Sequence, residues 1–471
     1  MEMENKTKGE LLREELFYTK KNIFEVRTLE QLEEAREYAK GYAEYLDNSK
    51  TEREAVDTTI KMLKERGYAE YSLGDKVVPG GKYYLNNRGK EIFAFRMGSE
   101  SLNEGMRISA AHIDSPRLDL KQHPLFEDGG FGYLKTHYYG GIRKYQWPTV
   151  QLALHGVVTK RGGETVEINI GEDAGDPVFV ITDLLPHLSG DQNKKPLATA
   201  FSGEGLNLLV GSTPFYEDDG TVTKVDEKVK LNIMAMLNEK YGIVESDFVC
   251  AELCAVPAGK SVDVGLDRWL LGGYGHDDKV CAYPALTALW ATDDSVHTVV
   301  CVLADKEETG SDGPTGMQSW ILSDLIDELC AVTGADSNIC RSKSMCLSAD
   351  VSAGYDPLYS EVFEKRNSAI VNCGVVMNKY TGAGGKYSTN DATAEFVGKV
   401  RDMFGEDVLW QTAELGKIDV GGGGTVAKYI SNCNIDTVDV GVPVLSMHAP
   451  FEVISKGDLY ETHKAFVAFC K

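Results

Sequence analysis

The chain of 471 residues carries 72 acidic and 49 basic side chains, a formal net charge of −23, with 42% hydrophobic residues. A nucleic-acid surface needs a basic footprint and no Lys/Arg-rich block supplies one, so nucleic acid is excluded as an expected partner. No apolar run approaches the roughly 20 residues that cross a bilayer, and Met1-Glu-Met-Glu-Asn-Lys-Thr-Lys8 has no signal-peptide core, so a soluble cytoplasmic protein without membrane contact is expected.

The composition is globular, and the length allows about two to four domains. Leu32, Ala35, Ala39, Tyr42 and Leu46 recur at helical spacing behind Thr28-Leu-Glu-Gln31, which has the form of a capping box. A second helix starts at Thr51-Glu-Arg-Glu54, carries Val56, Ile60 and Leu63 on one face, and closes at Gly67. Tyr83 to Leu85 and Glu91 to Phe95 flank Asn86-Asn87-Arg88-Gly89 as a hairpin, and Arg107 to Ala111 reads as a buried strand.

From about residue 123 the texture becomes β-rich. Val150, Leu152, Leu154 and Val158 alternate with other residues, as do Val166, Ile168 and Ile170 after the turn at Arg161-Gly-Gly163. One helix is expected here, Val229 to Tyr241 closed by Gly242, with a long loop near 189–205. After about residue 262, strand-like runs at Val299–Ala304, Met345–Ala349 and Asp436–Leu445 alternate with helices around Cys281–Trp290 and Met317–Leu329. That alternation predicts an α/β fold with a largely parallel sheet, formed by residues 1–122 and 263–471 and interrupted by an inserted β-rich domain at 123–262.

All ten cysteines lie at or after Cys250, and none forms a C-x-x-C pair. Cys301 in Val-Val-Cys-Val-Leu is typical of their apolar surroundings, which suit free thiols in a reducing compartment.

Five segments end an apolar run or open a helix with an acidic residue or a histidine: Ala111-His112-Ile113-Asp114, Gly275-His276-Asp277-Asp278, Asp305-Lys306-Glu307-Glu308, Ser348-Ala349-Asp350 and Ser446-Met447-His448. Ligands of open α/β sheets bind at the carboxyl ends of strands, so the five converge on one edge. Alone, each has a bland explanation: a hydrogen-bonded histidine, or an N-capping aspartate at Asp277 or Asp278. Together they offer the imidazoles and carboxylates that two divalent ions about 3.5 to 4 Å apart require. Asp114, two residues from His112 on a strand, faces the same side and can fix its tautomer. Neighbouring Glu307 and Glu308 diverge, which suits one metal ligand and one free carboxylate able to accept the proton of a metal-activated water.

These motifs give the chain its likeness to a known family. It resembles the aspartyl aminopeptidase family of dinuclear zinc metallopeptidases in His112-Ile-Asp-Ser-Pro116, His276-Asp-Asp-Lys-Val-Cys-Ala282, Asp305-Lys-Glu-Glu-Thr-Gly310, Ser348-Ala-Asp350 and Met447-His448-Ala449, in order and spacing. Tyr138-Tyr-Gly-Gly141 and Asn390 fit it too, and the likeness covers nearly the whole chain. It implies a three-layer α/β/α zinc-peptidase-like catalytic domain and an aminopeptidase acting on peptides with a free N-terminus. It also implies two divalent ions, zinc foremost with cobalt or manganese as alternatives, and a tetrahedral homododecamer. By the same resemblance His112, Asp277 and Asp350 hold one ion and Asp277, Glu308 and His448 the other, with Glu307 the general base and Asp114 the partner of His112.

The chain departs from the family at Pro186-His187-Leu188, where Asp191 stands in place of a histidine that reaches a neighbouring active site; His187 is the candidate for that role, with a surface histidine as the alternative. Gly421 to Gly424 and Thr425 match a glycine-bearing loop of the family. Gly382-Ala-Gly-Gly-Lys386 lacks the phosphate-loop pattern, and Lys386 is the candidate to meet an acidic substrate side chain. Two rivals are an amidohydrolase or deacylase on the same fold and a non-catalytic shell or cargo protein. Whether the preferred first residue is acidic or neutral is not fixed by the motifs.

Overall fold

The computed structural model describes residues 6–471; the first five residues of the amino-terminal segment read above lie outside the described residues. Its centre is a nine-stranded sheet. Four neighbouring strands, Thr298–Ala304, Met106–His112, Met345–Ala349 and Asp436–Gly441, run parallel. Their residues are almost all buried, as expected where helices cover both faces. The flanks are mixed: the hairpin Lys82–Asn87 and Glu91–Arg96 joins antiparallel to Thr298–Ala304, and Val375–Asn378 joins antiparallel to Asp436–Gly441.

The two faces hold separate cores. Tyr42, Leu63, Leu286, Phe396 and Phe466 pack on one, and Phe93, Phe95, Leu325, Leu329 and Ile430 on the other, which makes the α/β/α layering. Both predicted capping boxes form: Thr28 caps the helix Leu29–Asp47 with Gln31, and Thr51 caps Glu52–Lys64 with Glu54.

The second large sheet has six antiparallel strands, ordered Thr165–Ile170, Leu152–Thr159, Ala251–Pro257, Arg117–Asp128, Phe131–Tyr139 and Leu208–Gly211. It has its own core around Trp147, Leu154, Leu208 and Phe248. Its strand Arg117–Asp128 begins before the change of texture at 123, because the chain turns straight out of Met106–His112 into it. The helix Lys228–Tyr241 ends at Gly242, φ 68°, as the sequence predicts.

Three predicted elements differ: the loop expected near 189–205 contains a short helix, Leu197–Ala200, so the β-rich region holds more than the one helix expected. The run Asp436–Leu445 is two strands, since Asp436–Gly441 stays in the nine-stranded sheet while Pro443–Leu445 enters a third, five-stranded sheet between Glu452–Ser455 and Ser352–Ala353. Continuous apolar patterning cannot signal a change of partner. The helix expected from Met317 begins at Ile321 and runs to Thr333, because Asp312 to Ser319 form turns that carry the chain out of the Glu307–Thr309 segment.

Candidate metal centre

His112, Asp305 and Asp350 emerge where the parallel strands end, which places all three on one edge of the nine-stranded sheet. Asp277 stands at the start of His276–Ala291 but is not helical there, with φ −76° and ψ 109°. That backbone is compatible with a cap, but no backbone N–H of the helix donates to the Asp277 carboxylate, whose oxygens face His112 and His448 instead, so the N-capping explanation fails. His448 sits in the turn between Pro443–Leu445 and Glu452–Ser455, at φ 64°. Lys306, at φ 67°, bends the chain so that Glu307 and Glu308 turn back over the edge.

The side chains form three overlapping groups, one of them His112, Glu307 and Glu308. His112, Asp277 and Asp350 have ligand atoms within 4.8 Å of one another, as do Asp277, Glu308 and His448. Asp277 belongs to both: Oδ1 lies 3.2 Å from His112 Nε2, and Oδ2 lies 3.1 Å from His448 Nε2. The neighbouring glutamates lean toward different histidines, while both also come within 4.8 Å of His112 and of each other. Glu307 Oε2 lies 3.9 Å from His112 Nε2, and Glu308 Oε1 3.5 Å from His448 Nε2.

Both imidazoles present Nε2 to the centre. His112 Nδ1 faces the Asp114 carbonyl at 3.0 Å and its Oδ1 at 3.3 Å, while His448 Nδ1 faces the Gly141 carbonyl at 2.9 Å. A carbonyl only accepts, so Nδ1 carries a proton in each ring, and Nε2 is the nitrogen left facing the carboxylates, where an ion would take the place of its proton. Asp114 also accepts from the backbone N–H groups of Glu307 and Glu308, at 3.1 and 3.2 Å, and thereby ties the first histidine to the glutamate turn.

The electrostatics call for cations. The cavity at this edge, about 350 Å³, is lined by Asp277, Glu307, Glu308, Asp350 and Asp439, and by no lysine or arginine. Burial pushes the Glu307 carboxyl up to about 7, and burial with the Glu307 charge beside it holds Asp350 well above the usual carboxylate range. Glu308 is raised by burial and by Asp277. Asp277 is lowered, because the His112 and His448 imidazoles outweigh its own burial. His112 Nε2, Asp277 Oδ1 and Glu308 Oε1 are buried and have no hydrogen-bond partner. Such orphaned atoms cost free energy unless something binds them, and imidazole nitrogen beside carboxylate oxygen is the donor set of zinc.

Two residues that support the site, Glu452 and Asp439, are not apparent from the sequence, whereas Asp278, Gly421 to Gly424 and Thr425 stand in segments it singles out. Glu452 accepts from the backbone N–H of His448 at 2.7 Å and of Asp277 at 3.1 Å, and so joins the two turns. Its place four residues after His448 is the only sequence signal. The Asp278 carboxylate takes the His112 N–H at 3.3 Å, and Thr425 donates to Asp439 at 2.5 Å behind Gly422 to Gly424, which line the cavity.

Two candidates lie elsewhere. Lys386 pairs with Asp391 at 3.0 Å, sits 3.6 Å over the Tyr380 ring, and lines an adjoining cavity of about 450 Å³. His187 is exposed on its loop, while Asp191 pairs with Lys194 at 2.9 Å. Asn390 donates to the Thr437 carbonyl, a structural bond.

Residues 45–470 match the model of the aminopeptidase I zinc metalloprotease (M18) family. A protein of Clostridium acetobutylicum named a probable M18 family aminopeptidase 1 is 45% identical over 458 residues, covering 95% of this chain and 97% of its own. A crystal structure of an M18 aminopeptidase from Thermotoga maritima superposes with TM-score 0.89 at 41% identity, over 97% of this chain and all of that one. The S. cerevisiae mApe1 dodecamer shares the fold, with TM-score 0.73 at 20% identity over 93% of this chain and 97% of that one.

Proposed function

The chain belongs to the aminopeptidase I zinc metalloprotease (M18) family and is a zinc metallo-aminopeptidase, and from that premise we propose that it works through a two-ion centre. His112, Asp277 and Asp350 hold one ion, and Asp277, Glu308 and His448 the other. The observation that carries this is the sharing of Asp277 between two ligand groups, one oxygen toward each histidine. Bound there, zinc, or cobalt or manganese in its place, supplies Lewis acidity toward the scissile carbonyl and a water of lowered pKa.

In this assignment Glu307 is the carboxylate that holds no ion, although it stands within reach of His112 and Glu308. Near neutrality it takes the proton of the attacking water and returns it to the leaving amine. Asp114 keeps His112 in the tautomer that frees Nε2. The free amine of the substrate's first residue is held near the carboxylates of the cavity and one ion; a deacylase would use the same ligand residues, and activity on a free-amine substrate but not on its N-acetyl form separates the two. The first residue is acidic or neutral, and Lys386, in a cavity sharing Thr381 and Leu415 with the catalytic one, is the group that would meet an acidic side chain.

We extend the same reading to the assembly. Residues 123–262 act as the inserted domain, twelve copies close with tetrahedral symmetry, and His187 faces a neighbouring subunit, in the cytoplasm. Light scattering should then give a mass of roughly 620 kDa, twelve times 51.7 kDa. The decisive experiment is Asp277→Ala: both ions should be lost together and turnover with them. Two ions still tightly bound would sink the shared-ligand assignment. A panel of Xaa-p-nitroanilides, with N-acetylated counterparts, reads the first-residue preference and separates the deacylase alternative.

A further inference from the structure

Three consecutive residues at the end of one strand of the six-stranded sheet touch three separate parts of the metal centre. Tyr139 ends the strand Phe131–Tyr139, and its hydroxyl donates to Asp114 Oδ2 at 2.8 Å. Gly140 follows at φ 73°, where a Cβ would come within 3.1 Å of Glu308 Oε2 and 3.4 Å of the Pro116 backbone. Gly141 accepts from His448 Nδ1 at 2.9 Å, and a Cβ on it would stand 3.3 Å from that nitrogen. None of the three belongs to the ligand groups. One stands behind His112, and the other two stand beside Glu308 and His448.

We infer that Tyr139 to Gly141 is a template through which the six-stranded sheet sets ligand geometry at both ions, with Tyr139 the positioning residue for His112 and for the Glu307–Glu308 backbone. The inference rests on the two-ion reading above.

The physical case starts at Asp114, which is fully buried. Its Oδ1 takes the Glu307 N–H and faces His112 Nδ1, while Oδ2 takes the Glu308 N–H and the Tyr139 hydroxyl. The Tyr139 bond is the shortest of these, and a hydroxyl to a carboxylate is a strong pairing. Without it, Oδ2 keeps one long amide bond, and the carboxylate is held only by the Glu307 and Glu308 amides and by His112, the groups whose positions it sets. Tyr139 is itself aimed from outside the site. The Arg117 guanidinium lies 4.3 Å from the centre of its ring and is fixed by Glu52 at 2.6 Å and Asp119 at 2.8 Å. Glu52 opens the helix Glu52–Lys64, so the chain of contacts runs from a catalytic-layer helix through the six-stranded sheet and back to the ligands. Gly140 works by size and backbone: a Cβ there would press on the Glu308 side chain and make it give by a few tenths of an ångström, at a φ of 73° that favours glycine.

Tyr139→Phe tests this, since it keeps the ring on Arg117 and removes only the hydroxyl. In the full-length protein the zinc dissociation constant, measured by chelator competition, should rise about 10- to 100-fold. The visible d–d band of the cobalt-loaded enzyme should shift, and kcat should fall while KM holds. Gly140→Ala should weaken the ion held by Glu308 and His448 more than the other. Wild-type zinc affinity and an unchanged cobalt spectrum in Tyr139→Phe would overturn the inference, leaving Tyr139 a packing residue. A wild-type enzyme that binds one ion per chain would overturn the two-ion reading instead, and the effect of Tyr139 on that ion would still be measured.

Discussion

The two large sheets meet the metal centre in opposite ways. The nine-stranded sheet brings charge to it, because parallel strands end on one side and His112 and Asp350 leave from those ends. The six-stranded sheet brings no ligand; it brings a tyrosine hydroxyl, a glycine and a carbonyl that fix where the ligands point. Their interiors differ in the same sense. Met106–His112 is buried at every position, whereas Thr165–Ile170 alternates between exposed and covered residues. One sheet is sealed between helical layers and the other is open on one face, so losses in the first should be large and losses in the second graded.

Glu307→Gln gives the largest effect on that comparison. The amide keeps the shape and leaves the proposed ligands in place but cannot accept a proton, so kcat should fall by about 10² to 10⁴ with both ions retained by metal analysis. Near-normal turnover would mean that another group is the base.

Stability should separate the sheets next. Phe93 has none of its surface exposed, and Phe93→Ala should cost about 3 to 5 kcal/mol through the cavity it leaves. Val166→Ala on the half-covered edge strand should cost about 1 kcal/mol. Equal shifts in denaturant midpoint would erase the contrast between the sheets.

The smallest effect lies at the seam between them. His155, on the six-stranded sheet, sits 2.7 Å from Glu54 of the helix Glu52–Lys64 and 3.3 Å from Glu172, which also pairs with Lys50 at 3.7 Å. Burial opposes its charge, but the two carboxylates raise its pKa from 6.5 to about 9. The folded form therefore binds this proton more tightly than the unfolded one. Its contribution, at most about 3 kcal/mol, is complete below pH 6.5 and lost as pH rises through about 9. His155→Gln should flatten the pH dependence of unfolding in that window, and an unflattened curve would place the dependence on other groups.

The same division explains what the sequence reveals. Strand ends that carry His112, Asp350 or Glu307 stand out because an ionisable residue interrupts an apolar run, and the capping boxes at Thr28 and Thr51 are local patterns. The break after Gly441 was invisible because both halves are apolar and differ only in which strand they pair with. Glu452, and the role of Tyr139 within Tyr138-Tyr-Gly-Gly141, are hidden for a related reason. Each acts on residues distant in the chain or through backbone N–H groups, and a hydroxyl aimed at Asp114 looks in sequence like any strand tyrosine. Asp277 is legible as an acidic residue at a helix start, but not as a ligand rather than a cap, since Asp is among the preferred N-cap residues and both roles suit a non-helical backbone.

The cysteines have a consequence for measurement. Eight of the ten are buried, Cys433 is half-buried, and only Cys250 is exposed, at the end of the Glu245–Cys250 turn leading into the strand Ala251–Pro257. A thiol-reactive fluorophore applied to the native protein should therefore label the six-stranded sheet at Cys250 first. The molecule carries its own attachment point for a distance probe, on the sheet that templates the ligands rather than the one that supplies them, and no cysteine need be added or removed to watch that sheet as ions bind.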